Sequence, residues 1–360
     1  MMYMKVRLGN YIEEYSKKNK ADEDIPVYSV TSTQGFCRDY FGKEVASKDK
    51  TTYKIVPQGC FAYNPSRINV GSVDWQRNEE RVIVSPLYNV FSVSEELDQE
   101  YLYYYLKSDF ALQRIRAVAT GSVRDNLKLE MLKEFPILLP PKNDQKTIAN
   151  NLDRVKRIIE LRKSEIDKMN ELIKARFVEM FGDPRSNPFG FSKSVLKDTC
   201  KVVTGNTPSR AVQEYYGNYV EWIKTDNIVS EMINPTKATE SLSEEGMKVG
   251  RTVDKDSILM ACIAGSIASI GKVCVTDRTV AFNQQINAIV PEEYNILFLY
   301  VLLQLSKDYL IEDINMALKG ILSKSKLEEK EFIVPPMELQ KQFADFVDQV
   351  DKSKVIKLSN

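Results

Sequence analysis

The longest hydrophobic pattern in the chain lies between Asn143 and Phe181, a stretch of 39 residues without proline or glycine. Alternating steps of four and three residues meet ten positions, eight of them apolar: Ile148, Leu152, Val155, Ile159, Arg162, Ile166, Met169, Ile173, Arg176 and Met180. Apolar residues repeated in this way are typical of a coiled-coil helix. At 1.5 Å per residue the helix would be about 58 Å long. The alternative is an amphipathic helix that lies on its own domain.

A hydrophobic and polar pattern also occurs twice. Residues 127–155 and 322–350 align with ten identities in 29 positions, at an offset of 195 residues. The shared residues include two prolines and a glutamine in each copy, Pro140, Pro141 and Gln145 in one and Pro335, Pro336 and Gln340 in the other. Proline interrupts a strand ladder and suits a helix start, so each pair predicts a switch from strand to helix. Because Pro-Pro before a helix is common, the predicted duplication depends on several matches in the same order.

The elements around the two copies predict a mixed α/β fold. Strand-like runs such as "KIVPQGCFAYN" and "DSILMACIAG" are followed by apolar helices, "QEYLYYYLKS" and "NILFLYVLLQLSKDYLIEDI". We predict two similar domains, 1–142 and 183–335, separated by a spacer helix at 143–182 and followed by a short helix at 336–360. The two helices would form an antiparallel coiled coil, which gives a pseudo-two-fold internal repeat. Gly182 would end the spacer helix.

Composition and charge narrow the function. The chain has no histidine, which removes Ser-His and Cys-His catalysis and every zinc pattern that needs histidine. Five scattered cysteines predict reduced, mostly buried thiols. The first residues lack the apolar segment of a signal peptide, and no apolar run is long enough to span a membrane, so we expect a cytoplasmic protein. Fifty basic and fifty acidic residues predict weak DNA binding by the chain alone.

Two similar modules on a rigid spacer suit a target with two separated halves. B-DNA repeats about every 34 Å, so the spacer could place two readers roughly one to one and a half turns apart. A bipartite DNA site is therefore one target that fits. The alternative is a non-catalytic coiled-coil scaffold that carries two modules for other ligands.

Several short stretches, in this order along the chain, resemble the specificity subunit of a type I restriction-modification system. They are "YNPSRINVGSV", "TGSVRDNL", "EMFGDPRSNPFGF", "TGNTPSR", "YVEWIKTDNI" and "FNQQINAI", together with both Pro-Pro helix starts. The resemblance implies that each globule is a target-recognition domain and that the helices set the gap and dock two methyltransferase subunits. Those subunits would use S-adenosylmethionine to methylate adenine N6, and an ATP-dependent restriction and translocation subunit can add cleavage.

The resemblance also implies that this chain is not catalytic and carries no cofactor. The residues agree, because adenine methyltransferases need an Asn/Asp-Pro-Pro-aromatic motif. The nearest string, Asn64-Pro65-Ser66-Arg67, lacks the second proline and the aromatic ring. The chain also lacks a phosphate-binding loop of the G-x-x-x-x-G-K-[ST] type.

Polar loop residues are the candidates for DNA contact, because arginine can pair with guanine and asparagine or glutamine with adenine. In the first domain they are Asn64, Ser66, Arg67 and Asn69, and Thr120, Ser122, Arg124 and Asn126. In the second domain they are Asn206, Thr207, Ser209, Arg210, Lys224, Thr225, Asn283, Gln284 and Lys319, with Ser266 and Lys272 as weaker candidates. The alternative for each is a side chain that hydrogen-bonds to its own loop. Trp222 is expected in the core.

Overall fold

The fold was analysed in a computed structural model, which describes residues 3–38, 49–119, 126–230, 232–312, 314 and 320–359. Side chains are described as far as Ser353. The chain divides into two compact units, Met1–Glu160 and Leu161–Asn360. Among the described residues, no helix combines the length and the apolar character needed to cross a membrane.

The first unit contains ten strands and four helices in its described residues, the last helix continuing into the second unit. The strands are β1 (Met4–Arg7), β2 (Ile12–Glu14), β3 (Ser29–Thr31), β4 (Gly35–Cys37), β5 (Lys54–Pro57), β6 (Phe61–Tyr63), β7 (Val73–Trp75), β8 (Arg81–Val84), β9 (Asn89–Val93) and β10 (Pro136–Leu139). The helices are α1 (Gln99–Lys107), α2 (Asp109–Val118), α3 (Leu129–Lys133) and α4 (Lys142–Phe181).

The second unit repeats this order of elements with longer insertions. Its strands are β11 (Lys193–Val195), β12 (Cys200–Thr204), β13 (Tyr216–Ile223), β14 (Ser241–Leu242), β15 (Thr252–Val253), β16 (Ile258–Ala261), β17 (Ile263–Ala264), β18 (Val273–Val275), β19 (Val280–Phe282), β20 (Ile286–Pro291), β21 (Gly320–Ile321) and β22 (Glu331–Ile333). Its helices are α5 (Leu196–Thr199), α6 (Glu244–Val249), α7 (Ile296–Leu305), α8 (Lys307–Ile311), α9 (Lys324–Glu328) and α10 (Met337–Ser359).

The sheets confirm the predicted duplication. One four-stranded sheet has the order β2-β9-β6-β7, and its counterpart has the order β12-β20-β16-β18. In each unit the first strand also pairs antiparallel with the strand before the prolines, β1 with β10 and β11 with β22. The mixed α/β class with two similar domains is thus confirmed at the level of strand order.

The repeated glutamines make equivalent hydrogen bonds in both units. The side chain of Gln145 donates to the carbonyl of Pro140 at 2.8 Å and accepts from the backbone N–H of Asp98 at 2.8 Å. Gln340 donates to Pro335 at 2.8 Å and accepts from Asn295 at 2.9 Å. Asp98 and Asn295 are the N-caps of α1 and α7. Each buried glutamine therefore ties two helix starts together, those of α1 and α4 in one copy and those of α7 and α10 in the other.

Helix α4 occupies the predicted place, and Gly182 ends it with a φ of 73° and a hydrogen bond to Val178. Its last turns enter the core of the second unit, where Phe177 and Phe181 pack on Phe298 and Phe343. Farther along α10, Phe346 lies near Arg176, which precedes Phe177 in α4. The two helices therefore meet in the antiparallel sense that the sequence predicts.

Two details differ from the expectation. The apolar stretch after Asn295 is not one helix, because Ser306 separates α7 from α8. All residues from 150 to 160 are exposed, so the seam positions Leu152, Val155 and Ile159 face solvent in the first unit. In the second unit the buried face of α4 contains the seam position Ile173 together with Phe177 and Phe181, whereas the seam positions Arg176 and Met180 are half-buried.

The cysteines are free thiols, and four of the five are buried. Burial raises the pKa of Cys200, Cys262 and Cys274 to about 12, so these thiols stay protonated at neutral pH. The described cysteines therefore behave as small core residues, as the sequence predicts.

Candidate nucleic-acid interface

The turn after β6 presents the first group of predicted contact residues. The Asn64 side chain accepts from the N–H of Ser66 at 3.0 Å, and the Asn64 carbonyl accepts from Arg67 and Ile68. Gly71, with a φ of 84°, reverses the chain into β7. Asparagine commonly starts such turns because its side chain replaces a backbone acceptor. Asn64 therefore shapes the turn, which leaves the Arg67 side chain exposed.

A second loop joins this turn from 60 residues away. The Ser66 hydroxyl donates to the Asn126 side chain at 2.7 Å, and the N–H of Leu127 donates to the Pro65 carbonyl at 3.1 Å. The predicted residues Thr120, Ser122 and Arg124 lie outside the described residues. Sequence reasoning proposed both loops separately, and the structure brings Ser66 and Asn126 together at the surface.

Arg67 lies at a small cavity of about 80 Å³. The other polar residues that line the cavity are Ser29, Thr31, Ser32, Asn64, Ser72 and Tyr88. Hydroxyls can both donate and accept, and a guanidinium donates in a planar fork, so this group suits phosphate or base-edge contacts. Ser29, Thr31 and Ser32 come from the hairpin β3–β4, and Ser72 directly precedes β7. They were missed because isolated hydroxyl residues carry no signal in the sequence. Asn69 is half-buried, and its carbonyl accepts from Arg116.

In the second unit the loop after β12 begins at a close backbone approach. A Cβ added to Gly205 would lie 2.2 Å from the carbonyl oxygen of Asn283, so no larger residue fits. The Asn206 side chain donates to the Val249 carbonyl at 2.9 Å and accepts from the N–H of Arg251 at 2.7 Å. Because its amide is bonded at both ends within the fold, Asn206 positions the loop. The loop joins two different sheets, so it is not a simple hairpin turn.

The loop after β12 meets the turn between β19 and β20. The Thr207 hydroxyl donates to the side chain of Gln284, and both residues are exposed. The neighbouring Asn283 is buried, and its amide bonds to the backbone and side chain of Gln285 at 3.1 Å each. Thr207 and Gln284 thus form the exposed polar pair of this unit, whereas Asn283 holds the turn.

Glu240 connects two of the predicted cations. Arg210 approaches it at 2.7 Å, and Lys224 donates to its other oxygen. Hydrogen bonding from Lys224 and, more weakly, from Arg210 holds the pKa of Glu240 below its usual range. Both cations also lie over the ring of Trp222, at 5.3 and 5.2 Å from its centroid. Trp222 is buried as predicted, and the acidic residue at the centre of this group was missed.

The remaining candidates are spread over the second unit. Ser209 is exposed next to Arg210, and Thr225 opens a short 3₁₀ turn after β13. The weaker candidates Ser266 and Lys272 lie in the segment between β17 and β18, and Ser266 shares a hydrogen bond with Ser269. Lys319 lies outside the described residues. DNA contact stays a prediction for every residue of the two groups.

Comparison with known proteins adds the family. The model of the family described as "Type I restriction modification DNA specificity domain" matches residues 7–171 and again 188–359. The HindI specificity subunit of Haemophilus influenzae is 32% identical over 120 residues, which are 32% of this chain and 25% of that protein. The MjaIX specificity subunit of Methanocaldococcus jannaschii is 25% identical over 277 residues, 69% of this chain and 61% of that protein.

A solved structure shows the same fold. The S subunit of a type I restriction-modification system from M. genitalium superposes with a TM-score of 0.58 at 16% identity, over 99% of this chain and 91% of that one. Sequence matches thus span between a quarter and three fifths of the two curated relatives, whereas the structural match spans nearly all of both chains. The two matches to the family model include most of this chain, and the chain belongs to the type I restriction-modification DNA specificity family.

Proposed function

We propose that the chain is the DNA-recognition subunit of a type I restriction-modification system and that each unit reads one half of a split target. One observation carries this proposal: the family model matches twice, and each match covers most of one unit, including a four-stranded sheet of equivalent strand order. A duplicated fold with different surface loops suits a bipartite site, because each copy can present its own hydrogen-bonding groups.

In the first unit, Ser66, Arg67 and Asn126 are the proposed reading group. In the second unit the group consists of Thr207, Gln284 and the flanking Ser209. Arginine can bond two acceptors of guanine, and the amides of asparagine and glutamine match the donor and acceptor of adenine. Arg210 and Lys224 are paired with Glu240, so phosphate contact through them would require exchange of that ion pair.

The partners are proposed on the same basis. Two methyltransferase subunits would bind S-adenosylmethionine and methylate adenine N6, and a restriction subunit can join them, in the cytoplasm. This chain would supply recognition and no catalytic group. The exposed apolar residues Leu152, Val155 and Ile159 offer a docking surface on α4, with exposed fractions of 41, 53 and 51%.

Methylome sequencing tests the proposal in cells that carry or lack this chain. We expect a split motif with adenine methylation only when the chain and its methyltransferase subunits are both present. The double variant S66A/N126A should relax only one half of the motif, and T207V/Q284A only the other half. Each lost base contact should weaken selectivity about tenfold to a hundredfold at its position. Lys201→Gln, at an exposed lysine of β12, is the control and should leave the motif unchanged.

The proposal would be contradicted if neither double variant relaxed its half of the motif, or if the methylated motif were not split. The balanced charge gives a second test, by titration of target DNA with the chain alone and with its methyltransferase subunits. We expect tight, salt-dependent binding only in the complex. Nanomolar specific binding by the isolated chain would show that the partners are not needed for affinity. No sequence-selective binding by the complex would favour the scaffold alternative.

A further inference from the structure

The second unit contains a cavity of about 210 Å³ beside the last turns of α4, next to β18 and α7. Three lysines line it, Lys174, Lys272 and Lys307, and no carboxylate of the described residues does. Its polar lining also includes Gln304 and the hydroxyl-bearing Tyr300, beside an apolar wall from Ile173, Val273 and Val301. The lining therefore combines three cationic donors with an apolar wall.

Lys307 is held in place by its stem and by its ammonium group. Its Nζ donates to the carbonyl of Ala268 at 2.6 Å, and its Cγ would lie 3.5 Å from a Cβ at Gly271. Burial and then the charge of Lys272 hold the pKa of Lys307 below its usual value, against a weaker opposite effect of Asp308. Two lysines thus repel each other in a place where water screens them incompletely.

The other two lysines are not neutralised by a direct ion pair. Across the part of the chain that the structure describes, neither Lys174 nor Lys272 makes an ion pair. Asp351 acts on Tyr300 from outside the lining. Lysines at solvent-exposed sites are routinely unpaired, but three that share one cavity form a local excess of positive charge.

In the first unit, positive and negative side chains are balanced at the corresponding position. Gly71 and Lys107 are related there as Gly271 and Lys307 are, because a Cβ added to either glycine would lie 3.5 Å from the lysine stem. The nearby cleft, of about 340 Å³, contains the cations Arg77 and Lys156. It also contains three carboxylates, from Asp74, Glu100 and Asp153. The excess of positive charge is therefore particular to the second unit.

We propose that the lysine-lined cavity of the second unit, formed by Lys174, Lys272 and Lys307, binds a phosphate group. A phosphate group combines one or two negative charges with several strong acceptor oxygens, and lysine binds it as a point charge. A volume of 210 Å³ admits a phosphate and a few waters, at roughly 30 Å³ per water, but not a large ligand. The phosphate would belong to a longer molecule, most of which stays outside the cavity.

Two sources supply such a group. One is a free nucleotide, and the other is the backbone of the DNA itself. Only the DNA source rests on the proposed function. The variant K174Q/K272Q removes two charges and keeps polar side chains, while Lys307 is left unchanged because it donates to the Ala268 carbonyl. K174R/K272R keeps the charges, and Lys255→Gln removes a charge from an exposed lysine that does not line the cavity.

The first measurement is ³¹P NMR titration of the full chain with inorganic phosphate and with AMP at low ionic strength. We expect saturable binding that K174Q/K272Q weakens at least about tenfold, while K174R/K272R and Lys255→Gln retain it. Equal melting temperatures of the variants would show that the fold is intact. Saturable AMP binding that K174Q/K272Q weakens supports the free-nucleotide source.

The second measurement is DNA binding by the complex with its methyltransferase subunits, at several salt concentrations. If the source is DNA, K174Q/K272Q weakens binding to every sequence alike and lowers the salt slope by about one for each lost phosphate contact. If neither phosphate, AMP nor DNA binding changes in K174Q/K272Q, the phosphate site is refuted. That outcome differs from failure of the proposed function, in which the unmodified complex itself shows no sequence selectivity.

Discussion

The two units have the same framework and different polar surfaces. In both, a four-stranded sheet of equivalent strand order packs against a helix, and a buried glutamine bonds the start of that helix to the helix that follows the proline pair. The polar residues differ. Arg77 of the first unit bonds Asp74 at 2.7 Å and lies 4.5 Å from the centroid of the Trp75 ring, whereas β18 carries Val273, Cys274 and Val275 in the corresponding strand.

This difference shows which positions a duplicated fold can vary. Substitutions in the buried strands or at the glutamines would affect the stability of the unit, because they remove packing or leave a backbone group without a partner. Exposed polar residues of the loops affect mainly what the unit binds. The loops can therefore differ between the two units while the framework stays constant.

The largest expected difference between the units concerns the anchoring of α4 by the aromatic cluster of the second unit, Phe177, Phe181, Phe298 and Phe343. We expect Phe177→Ala to lower the free energy of unfolding of this unit by about 3–5 kcal/mol, because it empties a fully buried ring site. Ile148→Ala, at the half-buried first seam position of α4, should cost about 1–2 kcal/mol. Chemical denaturation of both variants measures the difference. Similar losses would contradict an unequal anchoring of α4.

Substitution of the two repeated glutamines should lower the free energy of unfolding by nearly equal amounts in the two units. Replacement of Gln145 or Gln340 by leucine leaves the N–H of an N-cap residue and a proline carbonyl without partners, so we expect a loss of about 2–3 kcal/mol from either unit. Gln145→Leu should cost slightly more, because Gln145 also donates to the carbonyl of Glu96 at 2.9 Å. Gln342→Leu, at an exposed position of α10, is the control for denaturant unfolding. An unchanged free energy of unfolding for either variant would show that the two glutamines do not stabilise their units in the same way.

A smaller effect should distinguish the first unit. Asp74 accepts from the N–H of Phe36 at 3.1 Å and thereby attaches the hairpin β3–β4 to β7. Arg77→Met leaves that carboxylate largely buried without its cation, so we expect a loss of about 1–2 kcal/mol, below the cost of breaking a fully buried pair. Thermal unfolding measures it, with Arg81→Met, in an exposed ion pair, as the matched control. Equal melting temperatures for the two variants would contradict a structural role of Arg77.

The smallest effect is a pH dependence in the second unit. Hydrogen bonds from Arg278 hold the pKa of Glu221 below its usual value of 4.5, against partial burial. Because the folded pKa is lowered, the stabilisation is present above pH 4.5 and is lost as the pH falls through the folded pKa. We expect about 1 kcal/mol or less, measured as the difference in unfolding free energy between the native chain and Glu221→Gln from pH 7 to 3. A difference that does not shrink toward low pH would exclude this ion pair as its source.

The sequence by itself determined the repeat, the long helix with its end at Gly182, and the strand-to-helix switch at each proline pair. These features depend on local periodicity and on glycine and proline, whose effects act over a few residues. It also identified loops such as 64–69 and 204–210 as polar and accessible to ligands.

Only the tertiary structure decided which residues of those loops are available. Asn206 and Asn283 are engaged in the fold, whereas Thr207 and Gln284 meet at the surface from 77 residues apart. The same holds for Glu240 between Arg210 and Lys224 and for the three lysines around one cavity. Contacts of this kind join residues that are distant in sequence, and their free energy depends on burial and distance. Neither quantity is encoded in the spacing of residue types along the chain.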